Sequence, residues 1–285
     1  MVQVIERVAE LSSVLGEERS AGARVGLVPT MGALHAGHAS LVERAASDCD
    51  VVCVSVFVNP LQFGSADAAA AYRRDLAADL VVSEKAGATM VFAPSVAEMY
   101  PQEPVVGVRV DGRLGTTLEG ASRPGHLDGV ATVVAKLFAM AGPCQAYFGE
   151  KDYQQLLVVR RLVADLSFPV GVVGCPTVRG LDGVAESSRN HLLSRQEREA
   201  AVVLNRALRA GAALLLAGAS VPRDAAELMV DVIGAEPLVE LDYAVVVDAD
   251  TLAVTEGVEG HLRLLVAARI GTTRLIDNLG LRVGA

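Results

Sequence analysis

RVGLVPTMGALHAGHAS, residues 24–40, decides how this chain is read. Arg24–Pro29 is a short apolar run that stops at a proline. Gly32 follows, and from Gly37 to Ser47 the apolar residues recur at helical spacing. A strand, a glycine-containing turn and a helix in that order open a βαβ unit. The same grammar repeats outward. Val51–Val58 (VVCVSVFV) is a continuous β-branched run, apolar on both faces, as a central parallel strand requires. Asp75–Ala86 then reads as a helix, Thr89–Phe92 as a strand and Gly129–Met140 as a helix. Ala146–Phe148 reads as a strand, Asp152–Asp165 as a helix and Val170–Gly174 as a strand. Upstream, MVQVIERVAELSSVL (1–15) is expected to be an amphipathic helix. The expectation is an α/β fold whose first domain, residues 1–177, is a Rossmann-like parallel sheet.

After Arg179 the pattern changes. Ser194–Gly218 is a long helix rich in alanine and leucine, opened by Ser194 with Glu197 three residues later, a capping box. Val221, Pro222 and Arg223 punctuate before a helix from Asp224 to Ile233. Three strand-like runs follow, Leu241–Val247, Leu262–Ala268 and Thr273–Leu279. Residues 178–285 are therefore expected to form a smaller C-terminal α+β lid domain.

The 285 residues suit one large or two modest domains. With 52% hydrophobic and 21% charged residues, the composition is globular rather than disordered. A net charge of −9 leaves no broad basic footprint, so no nucleic-acid partner is expected. No apolar run approaches the ~20 residues that span a bilayer, so no membrane partner is expected either. The N-terminus lacks the pattern of a signal peptide, and the four cysteines, Cys49, Cys53, Cys144 and Cys175, form no CxxC pair; they read as buried free thiols. A cytoplasmic protein is expected. Lysine occurs only at 85, 136 and 151, which makes a lysine inside a motif informative.

The chemistry points to the turn between the first strand and helix, because ligands of open α/β sheets bind outside the carboxyl ends of the strands. Gly32–Ser40 comes near the P-loop pattern GxxxxGK(S/T), but His38 replaces the lysine and Ala39 the hydroxyl residue, which argues against a P-loop NTPase. The helix N-terminus, Gly37 and two imidazoles three residues apart still suit phosphate. Two other readings stay open on these residues alone: a zinc-binding His-x-x-His pair, or two structural histidines.

HAGH after a first strand resembles the HxGH signature of the nucleotidyltransferase superfamily. Four further segments narrow the resemblance: VSVFVNPLQF (54–63), LEGASRPGHLDGVATVVAKLF (118–138), YFGEKDYQQL (147–156) and PTVRGLDGVAESSRN (176–190). In this order and at these separations they resemble the pantothenate synthetase (pantoate–β-alanine ligase) family. The resemblance implies ATP, pantoate and β-alanine as partners, a pantoyl-adenylate intermediate, release of AMP and pyrophosphate, Mg²⁺ arriving with ATP, and a homodimer. It implies that His35 and His38 contact the ATP phosphates, and that Pro29 and Met31 lie in the loop shared by nucleotide and pantoate. It further implies that Gln62 and Gln155 bind pantoate, that Gly149, Lys151, Asp152 and Val178 contact ATP, and that Ser187, Ser188 and Arg189 hold the leaving pyrophosphate. Tyr72 and Arg123 are expected to face substrate, and His126 to be structural. Three positions depart from the pattern: Glu186 in place of methionine before Ser-Ser-Arg, Arg73 in place of proline, and Ala78 before Asp79, which leaves Asp79 alone of an acidic pair associated with Mg²⁺. These departures keep open a different acid or amine substrate, a nucleotidyl transfer without amide formation, and a non-catalytic nucleotide-binding relative.

Overall fold

The structure is a computed structural model that describes residues 2–70, 72, 75–218 and 221–284; Arg73 lies outside them. The chain forms two compact units, Met1–Glu150 with Gln154–Pro176, and Lys151–Tyr153 with Thr177–Ala285.

The first unit is built on strands β1 (Gln3–Ile5), β2 (Val25–Thr30), β3 (Val51–Val56), β4 (Met90–Phe92), β5 (Cys144–Gly149) and β6 (Val170–Cys175). They pair in the order β1-β4-β3-β2-β5-β6, and every pair is parallel. The β-branched run is a central strand, buried from Val51 to Ser55 as its two-sided apolarity requires. It leaves the ladder at Val56, ahead of the Asn59-Pro60 turn, rather than running to Val58. From β2 the chain steps outward through β3 to β4, then returns to the other side of β2 for β5 and β6. The reversal falls between β2 and β5, at the switch point where such sheets bind ligands.

One expectation is corrected at the N-terminus. Gln3–Ile5 is a strand pairing with Met90–Phe92, and the helix starts only at Val8. Three residues are too few for periodicity to separate strand from helix; the open edge of β4 decides. Smaller differences have local causes. Glu150–Asp152 forms a 3₁₀ turn, so the helix expected from Asp152 starts at Tyr153. The helix expected from Asp224 begins at Pro222, whose fixed φ and missing N–H suit a first helical position.

In the second unit β7 (Val239–Asp248), β8 (Gly260–Ile270) and β9 (Thr273–Val283) form an antiparallel sheet in that order. Helices Arg195–Leu216 and Pro222–Gly234 pack their apolar stripes into one core with it, around Leu204, Leu208, Met229, Leu264 and Val266. The Ser194–Glu197 capping box forms as the sequence spells it. The protein is thus a six-stranded Rossmann-like α/β unit with a smaller α+β unit. Among the described residues no helix is long and apolar enough to cross a membrane.

Candidate active site

The loop between β2 and helix Ala36–Asp48 leaves the sheet at its switch point in an unusual conformation. Gly32 and Ala33 both have positive φ, 82° and 52°. An alanine in that region is strained unless its surroundings hold it. The holder is Asp79, whose carboxylate accepts the Ala33 N–H at 3.1 Å and the Leu34 N–H at 2.7 Å. Asp79 is 2% exposed and reaches so close that a Cβ on Gly32 would lie 2.7 Å from its Oδ2. Thr30 completes the turn, accepting the Gly32 N–H and donating to the Ser55 carbonyl.

His35 and His38 then cap the helix reciprocally. His35 Nδ1 accepts the Gly37 N–H at 3.1 Å, and His38 Nδ1 accepts the His35 N–H at 3.4 Å. A ring nitrogen that accepts carries no proton, so each neutral imidazole holds its hydrogen on Nε2. The rings lie 4.1 Å apart. The first turn of this helix contains no acidic residue to offset its positive end. Two neighbouring Nε2–H donors at a helix N-terminus suit an anion.

Gln62 ends the 3₁₀ turn Pro60–Gln62 after β3 and is buried. This turn is fastened from several sides. Asn59 donates to the Gly129 carbonyl at 3.0 Å and accepts from Leu61 N–H and the Tyr100 hydroxyl. Burial pushes that hydroxyl up to about 12, so Tyr100 is a neutral donor. A Cβ on Gly129 would stand 2.2 Å from the Leu61 oxygen, so only glycine lets the helix His126–Ala141 approach this closely. Arg123 lies 2.9 Å from His126 Nε2, and His126 Nδ1 lies 3.0 Å from the Gln62 carbonyl oxygen. A guanidinium only donates, so Nε2 accepts and Nδ1–H donates to Gln62. Tyr72 packs edge-on against Phe63, beyond the same turn.

Pro29 ends β2 with Thr30, and Met31 follows. Gly149 closes β5, and a Cβ there would meet nothing within 4 Å. The carboxyl ends of β2, β3 and β5 therefore collect Met31, His35, His38, Gln62 and Gly149 on one edge of the sheet. Gln155 is partly exposed on helix Tyr153–Asp165. Its neighbour Gln154 is buried and spent on Leu114, Thr117 and Glu119 main-chain groups.

In the second unit Lys151 Nζ lies 3.7 Å from Asp152 Oδ1 in the 3₁₀ turn. Val178 accepts the Glu186 N–H at 2.9 Å, closing a hairpin that delivers Ser187, Ser188 and Arg189. Ser187 Oγ accepts the Arg189 N–H at 3.2 Å, and the Arg189 guanidinium donates to the Arg274 carbonyl at 3.2 Å. No group of three or more His, Cys, Asp or Glu among the described residues could hold a metal ion. Asp79, directed at two main-chain N–H groups, is a loop anchor; these residues do not fit a Mg²⁺ cage built by the protein. The sequence reading missed that anchoring, and it missed Asn59. The signal available was an acidic residue among the buried positions of helix Leu76–Lys85.

Comparison with known proteins shows the family. The model of the family described as pantoate-beta-alanine ligase matches residues 3–280. A pantothenate synthetase of Rubrobacter xylanophilus is 53% identical over 270 residues, 92% of this chain and 93% of that protein. One from Rhizobium meliloti is 48% identical over 280 residues, 97% and 95% of the two chains. The crystal structure of pantothenate synthetase from Thermus thermophilus superposes with a TM-score of 0.92 at 49% identity, covering 98% of this chain and 99% of that one. A pantoate-beta-alanine ligase from Francisella tularensis, complexed with beta-gamma ATP and beta-alanine, gives a TM-score of 0.80 at 31% identity, covering 98% and 97%. With the matched region running from β1 into β9, the chain belongs to the pantoate-beta-alanine ligase family.

Proposed function

We propose that this protein joins pantoate to β-alanine at the expense of ATP, through an acyl adenylate. A carboxylate oxygen of pantoate attacks the α-phosphorus, the bond to the β-phosphate oxygen breaks, and pyrophosphate leaves. The β-alanine amine, as its free base, then attacks the acyl carbon; the carbon–oxygen bond breaks, AMP leaves with the former carboxylate oxygen, and the amine proton passes to solvent. Neither step needs a protein nucleophile. What the chain must supply is placement of two anions together and relief of charge on the phosphates.

The observation that carries the reading is the paired Nε2–H donors of His35 and His38 at the helix N-terminus beside the switch point. They are assigned to the ATP phosphates. Lys151, Ser187, Ser188 and Arg189 are assigned to the phosphates and the departing pyrophosphate, as charge-assisted and hydroxyl donors. The Gly149 backbone, Asp152 and Val178 are assigned to the nucleoside, and Pro29 and Met31 to the wall shared with pantoate. Gln62 and Gln155 offer amide donors and acceptors to the pantoate hydroxyls and carboxylate. Tyr72 and Arg123 are assigned to the substrate-facing side. Mg²⁺ belongs to the proposal as a passenger on ATP, where it neutralises phosphate charge. A homodimer, which the family resemblance implies, completes it and is checked by sedimentation.

The test is isotopic. Pantoate labelled with ¹⁸O in its carboxylate should deliver one labelled oxygen to AMP and one to pantothenate. Unlabelled AMP would exclude the adenylate.

A further inference from the structure

Two adjacent polar residues, Asp277 and Asn278, interrupt strand β9, and both are about as buried as the core around them, 3% exposed each. Asn278 Oδ1 accepts from the Arg263 guanidinium, with Nε at 2.8 Å. Its Nδ2 donates to the main-chain carbonyl of Lys151 at 2.7 Å. The amide can stand only this way round: arginine never accepts and a carbonyl never donates. Arg263, itself buried, lays its guanidinium 3.8 Å above the centre of the Tyr153 ring, and Gly280 leaves the room, since a Cβ there would lie 2.8 Å from Arg263 Nη1. Lys151 and Tyr153 are therefore gripped from strands β8 and β9, which is why the segment Lys151–Tyr153 belongs to the second unit.

Asp277 performs the matching task. Its two oxygens take Arg179 Nη1 at 2.6 Å and Nη2 at 2.9 Å, a bidentate pair. Arg179 also donates to the Gly183 carbonyl at 3.1 Å and the Asn278 carbonyl at 3.3 Å. It stands at the base of the hairpin closed by the Arg179–Ala185 bridge and the Glu186 N–H to Val178 bond, one residue ahead of Ser187. On the far side Arg189 is tied to Arg274 of the same strand.

We infer that Asp277 and Asn278 position the phosphate-handling residues of this unit: Asn278 sets Lys151 through its main-chain carbonyl, and Asp277 sets Ser187–Arg189 through Arg179. The inference rests on the roles given to Lys151 and Ser187–Arg189 above. Neither residue is asked to touch substrate. A lysine stem is flexible, so the ammonium is placed only as well as its backbone is fixed, and displacements near 1 Å are enough to lower a rate by about 10²-fold.

The test uses the full chain and follows pyrophosphate formation from ATP and pantoate in a single turnover at enzyme excess, which resolves slow variants. Asn278→Asp keeps the acceptor for Arg263 but turns an oxygen toward the Lys151 carbonyl. The expected result is a fall of about 10- to 100-fold in the rate with the pantoate dependence unchanged, and a Tm within about 4 °C of the parent. Asn278→Ser, which retains a short donor, should recover part of the loss. Arg179→Lys, which keeps the charge but not the fork, should slow the step by about 10-fold. In a Lys151→Ala background Asn278→Asp should add nothing further. A folded Asn278→Asp within twofold of the parent, or an equal loss with and without Lys151, overturns the inference while leaving the Lys151 assignment standing. Lys151→Ala reacting at the parent rate removes that assignment and the inference together. If both Asn278 variants fail to fold, Asn278 serves the fold rather than Lys151, and the inference is again overturned.

Discussion

His126 donates from Nδ1 to the main-chain oxygen of Gln62 across 3.0 Å, so a side chain one turn from Arg123 fixes the backbone of the proposed pantoate ligand. The two halves of the imidazole can be tested apart. His126→Asn keeps a donor near the Nδ1 position, and His126→Gln keeps an acceptor near Nε2. The asparagine variant should stay within about threefold of the parent KM for pantoate, whereas the glutamine variant should raise it about tenfold, close to the loss of one well-placed hydrogen bond. Steady-state kinetics decide; the reverse order would show that the Arg123 contact matters and the Gln62 contact does not.

Asp79 holds Ala33 and Leu34 in a conformation alanine avoids. Asp79→Asn presents one N–H-bearing end to a pair of N–H groups, and a stability loss of about 2–4 kcal/mol is expected from unpaired buried donors and the lost charge. Urea unfolding measures it. The Mg²⁺ concentration giving half-maximal rate should not move, because the carboxylate is assigned to the loop. A large shift in Mg²⁺ requirement with unchanged stability would return Asp79 to the metal.

Glu186 places a carboxylate one residue before Ser187, on a main chain fixed by the bond to Val178. Near a triphosphate that charge opposes binding, by an amount set by partial solvent screening. Glu186→Met should lower the KM for ATP about two- to fivefold, with a smaller effect in high salt. An unchanged or raised KM places the side chain away from the phosphates.

Stability should decline on the alkaline side. Burial pushes the Cys53 and Cys144 thiols from 9.0, and the Tyr100 phenol from 10.0, up to about 12. Above about pH 9 the unfolded chain releases these protons while the folded one retains them, so the unfolded state binds fewer protons and stability falls with pH. The contribution is whole below about pH 9 and is lost as pH climbs to about 12. Urea midpoints should drop steadily from about pH 8 to 10.5, and the two thiols should resist alkylation at about pH 8. Flat midpoints with rapid labelling would contradict the burial of these groups.

Much of the architecture was legible because the periodicities are strong and long. The run from Val51 read as a doubly covered strand, which holds as far as Val56, and Ser194 with Glu197 announced the helix that follows. Gln3–Ile5 was not legible, since its strand character comes from β4, far along the sequence. The HAGH turn was legible from its residues as a strand-to-helix turn with two imidazoles at the helix N-terminus. Its tautomers were not, because they depend on which N–H groups face each Nδ1. Asp277 and Asn278 were hidden for a related reason. Two polar residues in TRLIDNLG look like a solvent face, and only the packed strand shows them turned toward Arg179, Arg263 and Lys151.

The central claim is adenylation at the His35–His38 site, and pantoate-dependent exchange of labelled pyrophosphate into ATP measures it most directly. With Mg²⁺ and without β-alanine, the purified protein should exchange label only when pantoate is present. His38→Ala should lose at least about 100-fold of that rate, on the scale of removing a donor to developing charge, with the fold retained and stability lowered by no more than about 1 kcal/mol for the lost cap bond. Exchange without pantoate, no exchange with it, or a fully active His38→Ala would contradict the account.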